Sequence, residues 1–191
     1  MSAAGRGRAG VFLDRDGVVN VEVHRLSRPG QLELIEGSAD GIRLLNEAGA
    51  PVVLVTNQSV VARGICTERE VDAVHERLSA MLAAEGARLD AVYYCPHHPD
   101  GAVPEYTRVC PDRKPGIGML ERAAVEHGLR LEECFVIGDT TGDIQTAVNA
   151  GCRSVLVATG YGGSDGACDV SPTWRARDLR EAAGVVLREL G

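Results

Sequence analysis

Two carboxylates, Asp14 and Asp16, stand two residues apart behind a short apolar run in the segment VFLDRDG. With the chain turning at Gly17, one can face a substrate as nucleophile while the other lies across the leaving group as acid and base. A solvated acidic turn would carry the same residues. Behind a second apolar run, Thr56-Asn57-Gln58-Ser59 offers a hydroxyl followed by backbone N–H groups. Such donors suit phosphoryl oxygens, although TNQS is also ordinary turn chemistry. Arg113 and Lys114 stand where a helix is expected to open. Two cations are unfavourable at that positive end unless an anion sits there too; a plain solvated pair is the alternative. Behind a third run, CFVI, Asp139 is placed to join the first pair in an oxygen-rich Mg²⁺ site. Asp143 reads first as a helix N-cap.

A second cluster differs in its ligand chemistry. Cys95, His97, Cys110 and Asp112 lie in one proline-rich loop. Thiolates and an imidazole at short internal spacing suit tetrahedral Zn²⁺, and a carboxylate is an acceptable fourth ligand. His98 reads as a loop or substrate-side residue. A metal here would be structural, ordering the backbone that runs into Arg113 and Lys114. The other reading is a reduced loop whose Cys and His merely pack. Cys66, Cys134 and Cys152 fall in or beside apolar stretches and read as small hydrophobes.

Positioning these residues requires strands that end just before them. Short apolar runs at 10–14, 51–57, 91–95, 134–139 and 154–158 alternate with helical patterns. Helices are expected from Ser38, from a Thr67/Glu70 capping box, over 117–128, up to Ala150, and before Gly191. The alternation predicts an α/β, Rossmann-like open parallel sheet with helices on both faces and the site beyond the strand ends. Residues 10–191 form one expected domain, and residues 1–9 an N-terminal tail.

The chain has 191 residues, 45% hydrophobic and 25% charged, so a globular domain is expected. Its net charge of −7 disfavours a nucleic-acid partner. No apolar stretch approaches the ~20 residues of a membrane span, and no signal peptide is evident. A cytoplasmic protein is the expectation, and the charge balance still allows a small anionic substrate held by a few local cations.

Together FLDRDG, VTNQS with ARG after it, YYCPHHP, RKPG and IGD resemble the haloacid-dehalogenase superfamily of aspartate-nucleophile phosphatases. Within it the similarity is to the heptose-bisphosphate phosphatases and their histidinol-phosphatase relatives. The small cap that many relatives carry has no obvious segment here, so a minimal cap is expected, and the resemblance implies the following roles. Asp14 is nucleophile and Asp16 the acid and base, while Thr56 and Lys114, helped by Arg113, hold phosphoryl oxygens. Asp14, Asp139 and the Asp16 carbonyl ligate Mg²⁺. Glu22, Val23, His24 and Arg25, with Asn57, Gln58 and Ser59, meet substrate. Arg25 stands where a second phosphate could be received, or is a simple loop cation.

Four positions depart from the family pattern. Val18 stands for Thr, Val60 for Gly, Asp112 for Cys and Thr140 for Lys. None removes a core catalytic group. The expected reaction is removal of the 7-phosphate from D-glycero-D-manno-heptose 1,7-bisphosphate. The lost cation at Thr140 keeps histidinol phosphate as a rival substrate, and a non-catalytic phosphosugar-binding protein is the third reading.

Overall fold

Alternation along the first strand divides the molecule into layers. In the computed structural model, which describes residues 8–191, strand β1 runs Val11–Leu13. Val11 and Leu13 enter one core with Leu45, Leu78, Leu82 and Val186, while Phe12 enters a second with Val53, Val136, Met119 and Leu120. Successive strand side chains point to opposite faces, so each face needs its own helices. Helices α1 (Ser38–Glu47), α2 (Glu68–Ala84) and α5 (Leu179–Leu190) supply the first face. Helices α3 (Gly118–His127) and α4 (Thr141–Ala150) supply the second.

The remaining strands are β2 (Val52–Asn57), β3 (Ala91–Cys95), β4 (Phe135–Gly138), β5 (Arg153–Val157) and β6 (Trp174–Ala176). All pair in parallel, in the order β3-β2-β1-β4-β5-β6. The order reverses between β1 and β4, the place where doubly wound sheets open a crevice for ligands. The sheet is therefore the expected Rossmann-like open sheet, with β6 added. That strand has only three residues, with an exposed Arg175 at its centre, so no apolar run announces it. The closing helix accordingly begins later than the end of β5 implies.

Residues 1–7 of the expected tail lie outside the described residues. Arg8 is no longer tail: its N–H donates to the Gly128 carbonyl at 3.0 Å, and it bridges to Leu129. Among the described residues no helix is long and apolar enough to cross a membrane.

Candidate active site

The functional side chains gather at and beyond the carboxyl ends of the strands. Asp14 follows β1, and its N–H still donates to the Ile137 carbonyl of β4 at 3.0 Å. Asp139 follows β4. Thr56 and Asn57 end β2, and Lys114 lies in the loop before α3. A cavity of about 160 Å³ between them is lined by Asp14, Asp16, Glu22, Thr56, Lys114 and Asp143, among others.

Lys114 is the electrostatic centre. Its Nζ lies 2.8 Å from Asp14 Oδ1 and 2.5 Å from Asp143 Oδ1. Burial alone would discharge a lysine, but the two carboxylates outweigh it and hold the ammonium above its usual range. Asp143, expected as the N-cap, instead stands at the third position of the helix. Thr140 is the N-cap of α4, and Asp143 closes the capping box by accepting from the Thr140 N–H at 3.1 Å. Its other oxygen anchors Lys114 (a role no local pattern announces), so Asp143 belongs to the site. The one available signal is spacing: Asp143 follows Asp139 by about one helical turn.

Asp139 has the environment of a cation ligand. Its Oδ2 accepts from the Tyr161 N–H at 2.8 Å, while its Oδ1 is buried and without a partner among the described residues. Burial, then the nearby Asp14, pushes its acid form up to about 8. Asp14 is likewise raised, to about 6, by burial and by Asp143 and Asp16 against the pull of Lys114. Carboxylates of Asp14, Asp139 and Asp143 converge within 4.8 Å, an all-oxygen donor set of the kind that suits Mg²⁺. Two glycines permit the approach. Gly17 and Gly160 have φ of +78° and +61°, and a Cβ on either would collide with the Asp139 carboxylate.

Asp16 is held from three sides. Arg15, only 1% exposed, donates from Nη2 to both its oxygens at 2.9 and 2.8 Å. Asn20 Nδ2 adds a bond at 2.9 Å and Gln58 Nε2 one at 3.2 Å. These donors overcome burial and keep the carboxyl below its usual range. Arg15 and Asn20 were not singled out from the sequence, where nothing distinguishes a buried arginine from a surface one.

The expected substrate contacts divide. Asn57 is committed to the protein: its Nδ2 donates to the Lys114 carbonyl at 3.1 Å and its Oδ1 accepts from the Lys114 N–H at 3.0 Å. Gln58 also turns inward, bonding Thr56 Oγ1 at 2.9 Å, with its N–H on the Cys95 carbonyl at 2.8 Å. These two position Lys114 and Thr56, and the Gln58 donors are taken up within the protein instead of facing substrate. Ser59 lies outside the cavity lining. Glu22, Val23 and His24 line an adjoining cavity of about 460 Å³ with Ile35 and Tyr161, and Glu22 borders both spaces. His24 has a φ of 64°, a strained value for a residue with a Cβ. Arg25 is exposed and outside both linings. Arg113 faces the other loop, donating to the His97 carbonyl at 3.3 Å.

In that loop Cys95, His97 and Cys110 converge within 4.8 Å, with Cys95 Sγ 3.7 Å from His97 Nδ1. Burial pushes the Cys95 thiol up to about 12, a cost that a bound cation would reverse. Asp112, expected as fourth ligand, is elsewhere: its Oδ2 accepts from Arg122 Nη2 at 3.1 Å. The guanidinium on α3 holds that carboxylate, so three of the four expected groups converge.

Known proteins are similar to this chain in sequence and in fold. A family model described as HAD-hydrolase-like matches residues 111–182. A D-glycero-D-manno-heptose-1,7-bisphosphate 7-phosphatase of Thermosynechococcus vestitus is 47% identical over 159 residues, 81% of each chain. The D-glycero-beta-D-manno-heptose-1,7-bisphosphate 7-phosphatase of Escherichia coli K12 is 41% identical over 152 residues, 78% of this chain and 79% of its own. Among solved structures, the D,D-heptose 1,7-bisphosphate phosphatase of B. bronchiseptica, complexed with magnesium and phosphate, aligns with a TM-score of 0.84 and 34% identity. That match covers 95% of this chain and 99% of the other. Likeness at this level runs far beyond a shared fold, and the chain belongs to the heptose-bisphosphate phosphatase family of HAD-type phosphoric monoester hydrolases.

Proposed function

We propose that this protein removes the 7-phosphate of D-glycero-D-manno-heptose 1,7-bisphosphate through an aspartyl-phosphate on Asp14. The observation that carries the reading is the 47% identity to a heptose-bisphosphate phosphatase, joined to a site that keeps Asp14, Asp16, Thr56, Lys114 and Asp139. Thr56 and Lys114 orient the phosphoryl oxygens so that Asp14 faces phosphorus in line with the sugar oxygen. An Asp14 oxygen bonds phosphorus as the bond to the sugar oxygen breaks, and Asp16 gives its proton to that oxygen. Asp16 then takes a proton from water as the water oxygen attacks phosphorus, which releases inorganic phosphate and restores the Asp14 carboxylate. The ion pair with Arg15 favours the ionised Asp16 that this second half requires. Mg²⁺, held by Asp14, Asp139 and the Asp16 carbonyl, neutralises charge on the phosphoryl oxygens when bound.

The distal part of the substrate fits the cavity beside Glu22, Val23, His24 and Tyr161. Glu22 and Tyr161 line that cavity, and the preference for the heptose compound over histidinol phosphate rests on the likeness to heptose-bisphosphate phosphatases. Phosphate release from heptose bisphosphate should exceed that from histidinol phosphate by at least about tenfold in kcat/KM, roughly 1.4 kcal/mol of transition-state discrimination. Steady-state assays on both substrates test this, and a preference for histidinol phosphate would overturn it. The six cysteines are unpaired, which fits the reducing cytoplasm, and we read the protein as a monomer.

Cys95, His97 and Cys110 hold a structural Zn²⁺ in this reading, with water as fourth ligand. Purified protein should carry close to one equivalent of zinc per chain. Chelation should melt the 95–112 loop and weaken phosphate binding while leaving the Mg²⁺ group in place. Elemental analysis finding under a tenth of an equivalent would reject the site.

A further inference from the structure

One arm of the Arg15 guanidinium points away from the reaction. While Nη2 grips Asp16, Nη1 turns to α2 and lies 3.2 Å from His75 Nε2. Arginine has no acceptor, so the imidazole must accept through a bare Nε2, with its proton on Nδ1. Burial, then the Arg15 charge, pushes His75 down to about 3, so it stays a neutral acceptor at any working pH. Tyr94 of β3 packs against the ring at 5.4 Å, its hydroxyl turned to Glu68 and Asp72. Asp72, Glu76 and Ser79 share the outer groove with His75. The imidazole thus bridges this groove, on the far side of Arg15, to the carboxylate at the catalytic cavity.

We propose that His75 is a positioning residue for the phosphatase reaction: it fixes the Arg15 guanidinium, which fixes the Asp16 carboxylate in line with the leaving oxygen. This rests on the reading of Asp16 as proton donor. Without an acceptor at 75, a buried N–H loses its partner and the guanidinium swings toward one it can reach. Asp16 keeps Asn20 and Gln58 but loses its fixed orientation.

Leaving-group dependence separates this role from a general structural one. A sugar phosphate ester needs its oxygen protonated as it departs; p-nitrophenyl phosphate does not. His75→Leu should lower kcat/KM for the sugar ester about tenfold, part of the 10²–10⁴ that a placed proton donor contributes. For p-nitrophenyl phosphate the loss should stay below about twofold. His75→Gln, whose Oε1 reaches the Nε2 position, should recover most of the loss. His75→Asn, whose carbonyl stops short, should behave like Leu and serves if Leu at 75 does not fold. Equal losses on both substrates, no loss, or no rescue by Gln would overturn the proposal. A gain on the sugar ester would also overturn it, because Arg15 would then act through charge alone. Asp16→Asn is the control: if it fails to discriminate the two substrates, the assignment of Asp16 falls and takes this one with it. If it discriminates and His75→Leu does not, only the role of His75 falls.

Discussion

Asp14→Asn is expected to abolish phosphate release, by roughly 10⁴-fold or more, while the fold survives. The magnitude follows from the loss of the atom that bonds phosphorus, since removing a nucleophile leaves only binding and electrostatic stabilisation. The intact fold follows from the surroundings. Asp14 is an acid whose charged form is already disfavoured, raised to about 6 by burial. A neutral amide of the same shape relieves that cost, and Lys114 keeps Asp143 as its counter-charge at 2.5 Å. Thermal melting in the absence of Mg²⁺ should therefore show a Tm equal to or above that of the parent. Phosphate release with Mg²⁺, against the parent at equal concentration, provides the kinetic half. Retention of more than about a hundredth of the parent rate would remove Asp14 as nucleophile.

Much of the scaffold is legible in the sequence because its signals are local. Strands β1, β2 and β4 are short apolar runs that end in, or just before, polar residues. The Thr67/Glu70 capping box forms as its spacing predicts, with the Glu70 N–H bonded to Thr67 Oγ1 at 3.3 Å and the return bond to the Thr67 N–H at 2.8 Å. Site residues at strand exits are legible for the same reason, since a polar residue after an apolar run points beyond the sheet edge. What the sequence conceals is decided by partners far along the chain. Asp143 has a sufficient local explanation as a cap partner, which hides its bond to Lys114, 29 residues away. Asp112 matches a ligand by spacing, yet Arg122 reaches it from α3. Asn57 and Gln58 stand at the predicted exit, but which way an amide turns depends on Lys114 and Asp16, brought near only by the fold.

The departures from the family pattern separate in the same physical way. Val18 is fully buried and Val60 is 6% exposed, so the methyl that replaces a hydroxyl at 18 and the isopropyl group added at 60 are absorbed by core instead of projecting into the cavity. Thr140, by contrast, lines the cavity and caps α4 with its hydroxyl on the Asp143 N–H at 3.2 Å. Loss of a cation there leaves Lys114 as the one ammonium or guanidinium among the described residues lining the central cavity.

That makes Lys114→Met the second severe substitution, and one whose effect on stability must depend on pH. Removing the ammonium strips Asp14 and Asp143 of partners at 2.8 and 2.5 Å inside a buried cluster. Breaking a buried pair by deleting one member costs about 3–5 kcal/mol. Lys114 also acts to lower the acid forms of Asp14 and Asp139, which already stand at about 6 and about 8. Without it both rise further. A carboxyl whose folded value exceeds the unfolded 3.8 binds more protons when folded, so its stability contribution is intact below the unfolded value and is lost as pH rises through the folded one. The gap between parent and variant should therefore be small near pH 5 and grow through pH 6.5 to pH 8, with the Asp139 share still opening above that. Urea unfolding with a chelator present, at pH 5, 6.5 and 8, measures it. Mg²⁺ at pH 8 should restore part of the loss, because a cation replaces the missing charge among the three carboxylates. Activity should still fall by about 10²–10³-fold with Mg²⁺ saturating, the effect of losing one placed donor to the transferring group. A gap that is flat or shrinks between pH 5 and 8 would mean that Lys114 does not balance this cluster.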